Sequence, residues 1–310
     1  MGANMRIFSC LIIIIVCINA VSLPASARYE EIVSPCGNPL DDRKTISDCS
    51  SIIEKWAFHE ETPRAKELSE RYYLKGASAY YSRGRAYQNL EANALAIQDY
   101  TEAIRLSKEI TDPMLASLIS ARNSRALLYF KAGLYDLSIS DYTMIIESNS
   151  SFVVNAYTYR MRGQVYLQKG DFEHALADFN RALRAEPTSE DTLIARAKLY
   201  IAENRLGLAI KDCTTVLKLW PNSSSAYLRR GIAYELKKAD TLAEEDLTKS
   251  ITIDPNEILG FYYRSLIYER QGRLKDAVND WRKIMSLHTE SGHEREMQQE
   301  IREKLEKFDH

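Results

Sequence analysis

Histidine is scarce, with 5 in 310 residues, and so are cysteine, with 5, proline, with 8, and glycine, with 12. None of the histidines His59, His174, His288, His293 and His310 forms H-E-x-x-H, and no C-x-x-C is present. That removes the common sequence signatures of zinc and redox chemistry. There is no phosphate-cradling glycine-rich loop and no G-x-S-x-G nucleophile turn. His288 and His293 with Glu290 and Glu294 make only a weak metal pattern, and Glu244-Glu245 reads as a solvated face. No cofactor is implied and no enzyme is read here. A net charge of −2, with acids and bases interleaved and no basic run, excludes a nucleic-acid partner.

A long apolar run occurs once, at the start. Arg6 precedes Ile7–Val21, interrupted by Ser9 and Asn19, and Pro24 with Ala25-Ser26-Ala27 follows. A basic start, a short apolar core and an A-x-A site read as a secretory signal at residues 1–27, cleaved after Ala27. The alternative is an uncleaved anchor, near the lower length for a membrane span. The expected location is periplasmic or secreted.

What the sequence has in abundance is a repeat. Residues 156–189 carry Tyr159, Gly163, Tyr166, Ala175, Phe179, Ala182 and Pro187 at positions 4, 8, 11, 20, 24, 27 and 32. Leu193, Ala197, Tyr200, Ala209, Cys213, Val216 and Pro221 take the same places in residues 190–223. Tyr227, Gly231, Tyr234, Ala243, Leu247, Ser250 and Pro255 take them in 224–257. Residues 77–110, 119–152 and 258–291 fit the same frame, giving six copies in all. Positions 4, 8 and 11 line one helix face, and 20, 24 and 27 line another. Small residues such as Gly163 and Ala175 let the two helices approach, and the proline ends the second one. One pair cannot bury its apolar face alone, so stacked copies complete the core.

On these residues the protein resembles the tetratricopeptide repeat family, in an exported, bacterial-type form. The resemblance implies an all-α, right-handed α-α superhelix of about six helix-turn-helix repeats, and a protein-interaction scaffold rather than an enzyme. In that family the first helices line a concave groove. Carried over by repeat position, the groove candidates are Tyr81, Arg85, Asn89, Asn123, Lys131, Arg160, Gln164, Lys198 and Tyr262. Leu228, Ile232, Leu236, Leu259 and Leu266 make its far end apolar. Basic groups at one end and apolar groups at the other suit an extended peptide with an acidic and a hydrophobic part. The lysine and asparagine set of the chaperone-binding members is not reproduced.

Residues 28–76 form a lead-in and an orphan half-repeat, since Thr45–Glu54 echoes the second helix around Cys213. Cys49 then falls at position 24 of that helix. It is either a small buried thiol or, in an oxidising compartment, one end of a Cys36–Cys49 disulfide. Residues 292–310 read as a capping helix with Met297, Ile301, Leu305 and Phe308 on one stripe. Extra residues before the early repeats, at 111–118 and 153–155, suggest first helices with extended starts. The functional expectation is an envelope scaffold holding a partner protein or peptide. A fixed component of a secretion or polysaccharide-export complex is the alternative.

Overall fold

The computed structural model describes Cys36 and residues 41–60, 70–107, 116–148, 152–289 and 292–308. The leader at 1–27, the rest of the lead-in, Thr62-Pro63 and residues 111–115 lie outside the described residues. Among the described residues there are 14 helices and no strand, so the protein is all-α.

Two compact units divide the molecule, Met1–Ile145 and Ile146–His310. The first holds α1 (Asp42–Glu60), α2 (Glu70–Asn89), α3 (Asn93–Ser107), α4 (Ala116–Lys131) and most of α5 (Tyr135–Ser148). Helix α2 runs unbroken through Gly76 and starts at Glu70, ahead of its repeat. Helix α1 packs on α2, and α3 packs on both α2 and α4. Tyr100, Ala96 and Ala103 of α3 fill this core with Ala121 and Leu128 of α4.

The second unit begins with α6 (Phe152–Lys169), α7 (Phe172–Ala185), α8 (Glu190–Ala202) and α9 (Leu206–Leu219). It continues with α10 (Ser224–Leu236), α11 (Asp240–Ile253), α12 (Ile258–Arg270), α13 (Leu274–Ser286) and α14 (Gly292–Phe308). Each helix packs on the next in sequence. The first helices of successive repeats, α6, α8, α10 and α12, also touch one another, and α14 ends that row on α12 and α13. Contacts of that extent do not recur between the second helices, which places the first helices on the inner side of this unit. Ile301 of α14 is fully buried, and Gln298 Nε2 donates to the carbonyls of Ile284 and Leu287 at the end of α13. The Ile284 carbonyl also accepts from Leu287 N at 3.2 Å, and the Gln298 amide adds a partner for carbonyls at the helix terminus, where intrahelical donors run out.

Two devices recur once per repeat. Glu91, Gly133, Gly170, Asn204, Lys238 and Gly272 all have positive φ, and all stand at position 15. There the first helix ends in a left-handed residue, and the following N–H bonds back across the turn, as Asp171 N does to the Tyr166 carbonyl. The second device is an arginine at position 7 bonded to an aspartate at position 23. Arg83–Asp99, Arg125–Asp141, Arg162–Asp178, Arg196–Asp212, Arg230–Asp246 and Arg264–Asp280 form the series. In each the fork donates through Nε and Nη2 to both carboxylate oxygens.

The remaining arm of the fork reaches the preceding repeat. Arg125 meets Thr101, Arg196 meets Asn180, Arg230 meets Thr214 and Arg264 meets Thr248, all at position 25. Arg83 does the same to Ser50, which follows Cys49, so α1 takes the place of a second helix. Tyrosines at positions 4 and 11 lie against the guanidinium, as Tyr159 and Tyr166 do around Arg162. The arginine thus ties the two helices of one repeat to each other and to the previous repeat.

Candidate functional site

Within the repeats, the periodic positions face inward, and a surface for a partner must come from the residues between them. In the first unit, Tyr81 and Arg85 sit one turn apart on α2, with the Tyr81 ring 5.9 Å from that of Tyr100. Arg85 is exposed. Asn89 donates to Asp42 at the start of α1, so it is engaged within the fold. Asn123 is half-buried and Lys131 exposed on α4, which touches α2.

In the second unit, Tyr157 is 42% exposed on α6 and carries the Arg160 guanidinium over its ring at 5.2 Å. Arg160 also pairs at 3.4 Å with Asp191 of the next first helix. It therefore links neighbouring repeats and is not a free donor. Gln164 is half-buried, and Lys198 is accessible on α8. Lys198 makes no hydrogen bond or ion pair with the described residues, and desolvation together with the nearby Arg229 charge lowers its pKa.

Tyr262 donates to Glu300 of α14 at 3.0 Å, and desolvation with that carboxylate pushes its pKa up to about 12. The capping helix thus occupies the space beside Tyr262. Tyr262 is held by the fold and is less available to a ligand than its repeat position suggests.

The apolar end of the groove needs a correction. Leu228 and Ile232 are 2% and 3% exposed and pack with Leu259 and Tyr263 of the following first helix. They belong to the core because the next repeat covers them. Only Leu236, at 41% exposure, remains available among the three leucine-type positions of α10.

One group near this row carries no mark in the sequence. Arg229 stands at position 6 of its repeat on α10, beside Arg230 of the arginine–aspartate series, and its Nε is buried with no hydrogen-bond partner. Desolvation lowers its pKa, while Glu257 is the strongest nearby charge opposing that shift. No periodic pattern marks position 6, and only the fold shows that this arginine is unpaired.

Cys36 and Cys49 are bonded to each other and are both buried, packed with Ile53 and Ala79. Cys213 is buried and free. Among the described residues no three His, Cys, Asp or Glu side chains gather as a metal site, and no helix is long and apolar enough to cross a membrane.

Sequence profiles of the tetratricopeptide repeat match residues 77–110, 156–189 and 194–258. Residues 119–152 and 258–291 carry the same arginine–aspartate pair and the same left-handed position 15. No curated protein matches the sequence. Among solved structures, a tetratricopeptide repeat protein from Parabacteroides merdae ATCC 43184 is similar at TM-score 0.65 and 18% identity, over 88% of this protein and 98% of that one. In the Cut9–Hcn1 hetero-tetramer of APC/C, one polypeptide is similar at TM-score 0.59 and 13% identity, over 87% of this protein and 50% of that one. TTC0263, a thermophilic repeat protein of Thermus thermophilus, gives TM-score 0.52 and 15% identity, over 59% and 98%. At these identities the likeness is one of fold.

Proposed function

We propose that this protein, whose residues 77–110, 156–189 and 194–258 match profiles of the tetratricopeptide repeat, is a non-enzymatic scaffold of the cell envelope. It holds a partner protein or peptide against the first helices of its repeats. The observation that carries this reading is the inner row of the second unit. There the core positions are filled, yet Tyr157 and Lys198 stand exposed on adjoining first helices, with Gln164 half-buried on α6. Aromatic and cationic side chains presented on a rigid helix row suit recognition of an extended peptide.

The envelope location is supported by the signal-like residues 1–27 and by the Cys36–Cys49 bond, since disulfides persist in oxidising compartments. A second reading is a fixed component of an envelope assembly, such as a secretion or polysaccharide-export complex. It is favoured by Leu208 and Leu242, which occupy the same position of successive second helices and are 38% and 48% exposed.

The test is a crosslinked pull-down from the envelope fraction, comparing wild type with Tyr157→Ala plus Lys198→Glu and with Leu208→Glu plus Leu242→Glu. A partner lost only with the first pair supports capture on the first helices. A partner lost only with the second pair favours the assembly reading. Residence outside the envelope fraction would remove the export part, whereas an envelope protein still starting at Met1 would favour the uncleaved anchor over the cleaved signal.

A further inference from the structure

Two side chains depart from the repeat frame, and both line one cleft. Position 31 is polar in the other copies, at Ser107, Asn149, Glu186, Asp254 and His288, and is Trp220 here. Position 1 is uncharged in the other copies, at Ala77, Ile119, Ala156, Ser224 and Ile258, and is Glu190 here. Leu219, Trp220, Pro221, Asn222 and Ser223, running from the end of α9 into α10, enclose with Glu190 of α8 a cleft of about 360 Å³. That is the small end of the range for ligand pockets. Its apolar wall is open to solvent, with Leu219 49% and Trp220 36% exposed.

The fold leaves the groups in this cleft without partners of their own. Glu190 is half-buried and makes no hydrogen bond or ion pair among the described residues, whereas its neighbour Asp191 pairs with Arg160. The helix dipole favours an acid in the first turn of α8, but Asp191 lies in that turn as well. Among the described residues no cation lies over the Trp220 indole, although arginines lie over tyrosine rings in repeat after repeat. The Ser223 hydroxyl accepts from Ala226 N as the cap of α10. The Glu190 carboxylate and the exposed Asn222 amide are the polar side chains left for a ligand.

We propose that this cleft receives an arginine side chain of a partner polypeptide. Of the six lining residues only Glu190 ionises, so charge complementarity selects a cation. The carboxylate accepts from the guanidinium fork, the indole covers its flat face, and Leu219 with Pro221 packs on the aliphatic stem. A lysine would supply the charge without the planar fork. The protein uses the same pairing inside its own core, where Arg162 is held between the Asp178 carboxylate and the Tyr159 ring. The lining includes neither Tyr157 nor Lys198, so the inference stands independently of capture on the first helices.

The experiment selects phage-displayed random dodecapeptides on the full-length protein and titrates the resynthesised peptides against variants. These are Trp220→Ala, Glu190→Gln and the first-helix pair Tyr157→Ala plus Lys198→Glu; Glu190→Gln serves if Trp220→Ala does not fold. The expected result is an arginine-rich set whose affinity falls about tenfold or more in Trp220→Ala and in Glu190→Gln. Binding should hold in the first-helix pair and fall when citrulline, neutral and of the same shape, replaces the peptide's arginine. Peptides selected without arginine, arginine peptides that bind both cleft variants like wild type, or no selected peptide would overturn the proposal. Peptides lost only with the first-helix pair would overturn it while supporting capture on the first helices. A glycan array probed in parallel tests the other occupant of an indole beside a carboxylate, and saccharides bound through Trp220 in place of peptides would also overturn it.

Discussion

Arg196 grips Asp212 of its own repeat with bonds of 2.8 and 2.9 Å and reaches Asn180 of the preceding repeat at 2.7 Å. With Asp212 buried, the pair acts as a fastener within and between repeats. Asp212→Ala leaves a guanidinium without its main acceptor and is expected to lower stability by about 2–3 kcal/mol. Arg196→Lys keeps the charge but loses the fork, with an expected loss of about 1–2 kcal/mol. The double variant Arg196→Met with Asp212→Leu is expected to be more stable than Asp212→Ala. Equilibrium urea denaturation measures all three. Equal stability of Arg196→Lys and wild type would show that charge alone is what matters.

The core of this fold is legible in the sequence because apolar and small residues return at fixed spacing. Tyr159, Gly163 and Phe179 mark the helix faces before any coordinates are known. Arg196 and Asp212 recur just as strictly, but charged residues on a helix read as solvated faces. Their signal is Arg at position 7 and Asp at position 23 in all six copies. Repeat position misplaces Leu228 and Ile232 for a different reason: their exposure depends on the next repeat, and Leu259 with Tyr263 covers them. Arg229 is not to be found from pattern, since what distinguishes it is the absence of a partner.

Gly163 of α6 lies against α7 with no room for a side chain. A Cβ there would lie 2.8 Å from the Phe179 ring and 3.3 Å from the Ala175 carbonyl. Gly163→Ala is expected to destabilise by about 1–3 kcal/mol through overpacking. Gly207, with nothing within 4 Å, is the control, and its alanine variant should not lose stability. Thermal melts followed by circular dichroism separate the two.

Lys238 holds φ +60° at position 15, where Gly170 and Gly272 stand in other repeats. An L side chain in this region carries steric strain that glycine lacks. Lys238→Gly is expected to stabilise by about 0.5–1 kcal/mol, and Gly170→Ala to destabilise by a similar amount. Urea midpoints that move the opposite way would refute the strain argument.

Burial pushes the Cys213 thiol up to about 12 from 9.0. The unfolded protein therefore releases this proton at lower pH than the folded one, so the thiol's contribution to stability falls as pH rises between these values. The fall should be shallower in Cys213→Ala, as read from urea midpoints at a series of alkaline pH values. Alkylation at pH 8 should spare Cys213 until denaturant is added, with mass spectrometry of its peptide as the readout.

The decisive measurement on function is site-specific photocrosslinking in cells, with the reactive side chain placed at Tyr157 on α6 or at Leu242 on α11. Both positions are exposed, at 42% and 48%, one on a first helix and one on a second. The expected result is a discrete adduct with one partner protein from Tyr157 and none from Leu242. An adduct formed only from Leu242 would contradict capture on the first helices and move the partner to the second-helix face.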